Sequence, residues 1–409
     1  MTTTSTATTD RGRIPAVPAP PTPATRRRWR RTVAATGLLA ALIASAACGG
    51  ADETAAIPTP TATRPSGPTA PPAADSDLQQ TMTGILEAHR ADDEFVGAVL
   101  ALRTADGTAV TTTAGAQSLD VDSDPVDPDV PWNIGSATKP FVAVVVLQLA
   151  EEGRLDLDTG IEDFLPDLAG ADRITPRQLL QHTSGLGDYI HQPAVLDDAR
   201  REWTPAELIA LAETAGRTGG PGGPHSYSNT NYTVLGEIIE QVTGNPWTDE
   251  VHERIVEPLD LQGTRLGSLR GVPGYVVDEG RLVEATDRWH PSVGGAAGAL
   301  ESTAADLLVF TEALRDGRLL SEQSQAEMGT FIPAEDLSQF GIDHRYGLGF
   351  EEYASEQLTV HGHLGSGSVH SAFFGFDPDS GAAVAVLMNV ETSGPQAFVA
   401  FEALAAVHG

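Results

Sequence analysis

The chain writes strand-like segments at its two ends and helices between them, and this distribution limits the folds open to it. Near the start, Phe95–Leu102 (FVGAVLAL) and Ala109–Thr113 flank the turn Ala105-Asp106-Gly107 and read as a hairpin. In the last quarter, Tyr346–Glu351, Leu358–His361, Ser368–Phe376 and Ala382–Asn389 read as strands. Between these groups the spacing predicts helices over Lys139–Glu152, Arg173–Leu186, Thr204–Ala215, Tyr232–Thr243, Ser302–Asp316 and Ser321–Gly329, the last two with serine caps. Further helices are expected from Asp77 and over Gln396–Val407. Strands this far apart form one sheet only if the chain ends meet. The expectation is an α+β protein with an antiparallel sheet, completed by the N-terminal hairpin and interrupted by a helical insertion.

The segments before Asp77 have a different character. Residues 1–32 are rich in Thr, Pro, Ala and Arg and read as a disordered basic leader. Residues 33–48 carry a short uncharged run, VAATGLLAALIASAA, behind Arg26, Arg27, Arg28, Arg30 and Arg31 and ahead of Cys48. A basic region, a short apolar stretch and small residues at a cut form the layout of an export signal, and the stretch is short for a membrane span. Cys48 is the only cysteine, which rules out an internal disulfide and makes it the candidate for lipidation. Residues 49–76 are Pro/Thr/Ala-rich and read as a tether, with the folded domain at 77–409. The protein is therefore expected to be extracytoplasmic, either lipid-anchored at the outer face of the membrane or secreted. Its membrane contact would run only through this signal or anchor. A formal net charge of −31 argues against nucleic acid and anionic lipid as partners.

Against that acidic background stands one amine. Lys139 is the only lysine, and the other 24 basic residues are arginine. A guanidinium cannot be deprotonated in a protein, whereas a buried ammonium can lose a proton and act as a base. Lys139 falls three residues after Ser136, in Trp132-Asn133-Ile134-Gly135-Ser136-Ala137-Thr138-Lys139, at the start of a predicted helix. The two side chains then share a face one turn apart, and the helix end favours developing negative charge. A serine hydroxyl needs such a base to become a nucleophile. Ser136 as a plain helix cap is the competing reading of this stretch alone.

Later segments supply partners. Tyr227-Ser228-Asn229 lies in a loop before a helix. A tyrosine hydroxyl beside an amine can pass a proton to a leaving group, and an asparagine can bond lysine and substrate together. His363-Leu364-Gly365-Ser366 is expected just before a strand, with Gly365 leaving room for substrate and the Ser366 N–H joining that of Ser136 in an oxyanion hole. Leu179–Leu186 (LLQHTSGL) reads as a structural loop. His361, His363 and His370 lack a completing carboxylate or cysteine in a recognisable ligand pattern and are not read as a metal site, and the aspartates of 120–129 read as a solvated loop.

Taken in order, WNIGSATKPF, RITPRQLLQHTSGL, HSYSNTNYTVLGEIIEQVTG and GHLGSGSVHSAFFGFDPDSG resemble the serine beta-lactamase-related family of DD-peptidases, class C beta-lactamases and esterases. The resemblance implies a five-stranded antiparallel sheet flanked by helices plus an all-helical lobe. It implies Ser136 as acylated nucleophile, Lys139 and Tyr227 as the proton-transfer pair, and Asn229 and His363 in the substrate site. No metal or organic cofactor is implied. The partner would be a small peptide, ester or beta-lactam, most closely the substrate of a D-alanyl-D-alanine carboxypeptidase. An esterase or beta-lactamase of the same fold is the alternative, and an inactive penicillin-recognising envelope protein is the non-enzymatic one. One departure stands out. Carboxypeptidases of this type carry arginine on the strand before the third motif, and this chain has Glu351 and Glu352 there, with Arg345 nearby. Class C beta-lactamases open that motif with lysine, which is also missing here.

Overall fold

A computed structural model describes residues 76–91, 94–267, 272–279, 281–367, 369–392 and 394–408. The leader, the signal segment, Cys48 and nearly all of the tether fall outside the described residues. Thirteen strands are labelled in chain order: β1 Gly97–Arg103, β2 Ala109–Gly115, β3 Trp132–Asn133, β4 Arg265–Leu266, β5 Tyr275–Asp278, β6 Arg281–Glu284, β7 Leu300–Ser302, β8 Ile332–Pro333, β9 Asp343–Tyr346, β10 Glu351–Ala354, β11 Thr359–Ser366, β12 Ser371–Phe376 and β13 Ala383–Met388. The longer helices are α1 Ser76–Arg90, α2 Lys139–Glu151, α3 Pro205–Ala215, α4 Asn229–Thr243, α5 Ala304–Arg315, α6 Glu322–Met328 and α7 Pro395–Ala405.

The chain ends do meet. β1 pairs antiparallel with β13, from Ala98 opposite Met388 to Arg103 opposite Ala383. The main sheet runs β2-β1-β13-β12-β11-β10-β9-β8. Its first five strands are six to eight residues long and correspond to the expected five. The sheet then continues through three short strands of four, four and two residues. Alternation sorts the side chains into two cores. Val99, Ala101, Ala385 and Leu387 face the core shared with α2, α4 and α5. Leu100, Leu102, Val384 and Val386 face the core shared with α1 and α7. The result is a three-layer arrangement with the helical insertion on one side.

α2 is apolar around its whole circumference, as KPFVAVVVLQLAE requires of a helix enclosed on all sides, and its residues from Lys139 to Leu147 are all buried. This places the only lysine in the middle of the protein. Several local expectations shift. α5 is capped by Thr303, whose side chain accepts from Asp306 N–H at 3.1 Å, rather than by Ser302. Ser321 does cap α6. The stretch 346–351 is not one strand: residues 347–350 form the hairpin turn between β9 and β10, in which Gly347 N–H donates to Phe350 O at 2.7 Å and Gly349 adopts φ +78°. A Cβ on Gly349 would stand 2.5 Å from Ala143 Cβ, so the turn sits directly on α2. The third motif lies on β11 itself rather than ahead of a strand.

Candidate active site

Ser136 is carried by a 3₁₀ turn, Gly135–Thr138, that leads straight into α2. The turn is wedged against the end of β11. Gly135 has φ +52°, and a Cβ there would stand 2.5 Å from Gly367 N and from Ser366 C. A methyl on Gly365 would overlap the Ile134 carbonyl oxygen and stand 3.2 Å from Ala137 Cβ. Gly365 thus serves the approach of strand to turn, and the room expected there for substrate is taken by backbone. The loop 295–300 is pinned on the other side. Asn133 Nδ2 donates to Gly298 O and Leu300 O at 3.2 Å each, and Ile134 N–H donates to Leu300 O at 3.0 Å.

Lys139 Nζ lies 2.9 Å from Ser136 Oγ, 2.9 Å from Asn229 Oδ1 and 2.8 Å from Ala297 O. Three acceptors meet the three donors of an ammonium, and none of them is charged. Burial lowers the amine to about 7, against the opposing pull of Asp188 and Glu351. Near neutral pH the amine can therefore take the serine proton. Tyr227 stands beside it, with Nζ 4.8 Å from the ring centroid. Burial holds the Tyr227 phenol well above its usual range, and its hydrogen bond with Ser136 only partly opposes this. Of the pair, Lys139 is the group that gives up its proton near neutral pH and Tyr227 the one that keeps it.

The segment read as structural, around His182, is the clamp that sets Tyr227 and Asn229. His182 has φ +56° and is fully buried. Its Nδ1 lies 3.2 Å from the Ser228 N–H and 2.9 Å from Asn231 Nδ2. Both partners are donors, so Nδ1 is the acceptor and the ring is neutral, as burial also favours. The ring packs on Tyr227 with centroids 4.2 Å apart. Ser184 Oγ donates to Asn231 Oδ1 at 2.5 Å, and Gly187 O accepts from Ser228 Oγ at 3.0 Å. Asp188, which the sequence reading passed over, accepts from Asn229 Nδ2 at 3.0 Å and thereby orients the amide whose oxygen holds Lys139.

A cleft of about 460 Å³ opens over this group. Ser136, Tyr227, Asn229 and Ser366 line it, with Lys139 beneath. His363 and Gly365 do not. His363 is 1% exposed, with Nε2 2.9 Å from Tyr346 OH and Nδ1 2.6 Å from Leu364 O, so its ring is spent inside the sheet. His361 goes to Glu352 at 2.9 Å and His370 to Val272 O at 3.0 Å. Among the described residues, no group of three His, Cys, Asp or Glu side chains is placed to hold a metal. The two glutamates that broke the expected pattern also point away from the cleft. Glu352 pairs with Arg345, and Glu351 is buried within the sheet. The described lining contains Asp188, Glu301 and Glu391, and no lysine or arginine.

A serine and a lysine within hydrogen-bond reach at the head of a buried helix, faced by Tyr-x-Asn and the edge of an antiparallel strand, are the features of the serine acyl-enzyme hydrolase superfamily with the beta-lactamase/DD-peptidase fold. A family model described as Beta-lactamase matches residues 82–408, and the chain belongs to that family. Penicillin-binding protein 4 of Amycolatopsis lactamdurans is 29% identical over 335 residues, covering 77% of this chain and 78% of that one. A D-stereospecific amidohydrolase from Streptomyces superposes with a TM-score of 0.70 at 32% identity, over 80% of this chain and 98% of its own. D-amino acid amidase from Ochrobactrum anthropi SV3, complexed with L-phenylalanine amide, gives 0.73 at 30% identity, over 81% and 98%.

Proposed function

We propose that the protein is a serine amidohydrolase in which Ser136 is acylated and Lys139 is its base. The observation that carries this is the 2.9 Å contact between Ser136 Oγ and a buried Lys139 Nζ whose other partners are uncharged. In the proposed cycle Oγ attacks an amide carbonyl as its proton passes to neutral Nζ. The N–H groups of Ser136 and Ser366 receive the oxyanion. The C–N bond then breaks, Tyr227 protonates the leaving amine, and the proton on Nζ returns to Tyr227. Water, deprotonated along the same route, attacks the ester carbonyl and releases the acid and Ser136.

For the acyl donor, the absence of Lys and Arg from the described cleft lining favours an amide without a free carboxylate, such as the amide of a D-amino acid. A D-alanyl-D-alanine carboxypeptidase, the second reading, needs a cation to hold its substrate's terminal carboxylate. Arg345 is engaged by Glu352 and by Asp343 at 3.3 Å. Arg270 belongs to the stretch outside the described residues. The test is turnover of D-phenylalanine amide against a D-Ala-D-Ala peptide, in wild type and in Arg270→Ala. The first reading expects the amide to be preferred by at least about tenfold in kcat/KM, unchanged by Arg270→Ala. Preference for the peptide, lost in Arg270→Ala, reverses the assignment. The first 48 residues support export, with Cys48 as the site of a lipid anchor, and mass spectrometry of the mature N-terminus decides between anchor and secretion.

A further inference from the structure

Whether Ser136 has an acyl-oxygen site beside it depends on the direction of one backbone N–H, that of Ser366. In the β11–β12 pair Ser366 stands opposite Ser371, and Gly367 N–H donates to His370 O at 2.8 Å. Alternation along an antiparallel strand then turns the N–H groups of His363 and Gly365 toward β12, and those of Gly362, Leu364 and Ser366 the other way. On that other side β10 begins only at Glu351, whose backbone is paired with Gly362. Ahead of Glu351 the chain leaves the sheet in the 347–350 turn and settles on α2. β10 has no backbone to offer Leu364 or Ser366.

The Glu351 side chain fills the first of these gaps. Leu364 N–H donates to Glu351 Oε2 at 2.8 Å, where Gly362 had the Glu351 main chain. One residue therefore holds two successive outward N–H groups of β11. The third, from Ser366, falls where Gly135 and the serine turn press on the strand. The carboxylate is itself fixed from several directions. Tyr353 OH donates to Oε2 at 2.5 Å, His344 Nε2 is 3.8 Å from Oε1, and His363 Nδ1 is 3.9 Å from Oε2. At 6% exposure it does not face substrate.

We propose that Glu351 is a positioning residue for the oxyanion site: by holding Leu364 N–H it stands in for the missing β10 backbone and aims Ser366 N–H at the acyl oxygen on Ser136. This rests on the hydrolase reading above. It gives the acidic residue in the strand a role that its place in a substrate-carboxylate site did not.

The experiment compares the full chain with Glu351→Gln, which keeps a carbonyl oxygen for Leu364 N–H, and Glu351→Ala, which does not. Readouts are kcat and KM for p-nitrophenyl acetate, and the inhibition constant of phenylboronic acid, whose tetrahedral serine adduct mimics the oxyanion. The expected result for Glu351→Ala is a fall in kcat of at least about tenfold, less than the roughly 10²–10³-fold of removing an oxyanion donor outright, because the donor is misaimed and not lost. KM should stay within about threefold, and boronate affinity should fall in step with kcat. Glu351→Gln should restore both to within about threefold of wild type. If Glu351→Ala does not fold, replacing Leu364 by its α-hydroxy acid removes the same N–H and leaves the carboxylate, and the same paired losses are expected. Unchanged kcat in a folded variant, a kcat loss without a boronate loss, or a Glu351→Gln as impaired as Glu351→Ala overturns the proposal. A wild type that neither turns over ester or amide nor binds boronate overturns the hydrolase reading and this role with it.

Discussion

Lys139 Nζ lies 2.9 Å from Ser136 Oγ, and the side chain that carries it is buried on a helix with no polar face. Hydrogen bonding alone does not require a lysine there, since a guanidinium donates too. Proton acceptance does. Lys139→Arg is therefore expected to lower kcat/KM by at least about 10³-fold while circular dichroism still reports a folded protein, and Ser136→Ala is expected to abolish fluorophosphonate labelling. Labelling of Ser136→Ala at the wild-type rate would place the nucleophile elsewhere.

The pH profile should carry the mark of that amine. With Lys139 at about 7, kcat/KM rises with pH through that value as the free amine appears. Asp188 and Glu351 both favour the protonated form. Asp188→Asn removes one of these charges, so the rising limb should move to lower pH. A limb that stays in place, or moves up, contradicts the assignment of the limb to Lys139.

Tyr227 holds its proton, so its loss should be felt where a leaving group needs one. Tyr227→Phe is expected to slow hydrolysis of an amide by about 10²-fold or more, within the usual span for acid–base groups. Hydrolysis of a p-nitrophenyl ester, whose phenolate departs unaided, should change by less than about tenfold. Equal losses on both substrates would make Tyr227 a packing residue or part of the base.

Gly365 makes a prediction of a different kind. Because a methyl there overlaps the Ile134 carbonyl, Gly365→Ala forces β11 and the serine turn apart, with backbone on both sides unable to give. Overpacking of this type costs about 1–3 kcal/mol. Chemical denaturation should show that loss, and kcat should fall by at least about tenfold with it. A stable, fully active Gly365→Ala would mean that the strand approaches the turn less closely.

Much of this site is legible in the sequence because its side chains announce themselves. Ser136 and Lys139 share one turn, and Tyr227 and Asn229 fall at the start of one helix. The antiparallel sheet closing the chain ends follows from where the β-branched runs fall. Other parts carry no such signal. Ala297 O reaches Lys139 across 158 positions as a backbone carbonyl, which any residue type could provide. Asp188 meets Asn229 only when the His182 loop folds over the later one. The inward turn of His363 and Glu351 depends on strand register, and register here is set by a glycine turn that reads locally as strand. The same turn explains why Glu351 and Glu352 look misplaced: they belong to a short strand that starts later than the sequence pattern implies.

The pairing of β1 with β13 joins segments separated by nearly the whole length of the domain. Such closure is entropically slow, because almost every intervening residue must be confined before the contact is rewarded. β11, which bears Ser366, is held from one side by β12 and through it by β13. On a ribosome, Ser136 and Lys139 appear more than 200 residues before that strand. The chain therefore travels with Ser136 and Lys139 already made but Ser366 still to come, and the cleft is assembled only once its final strand is in place.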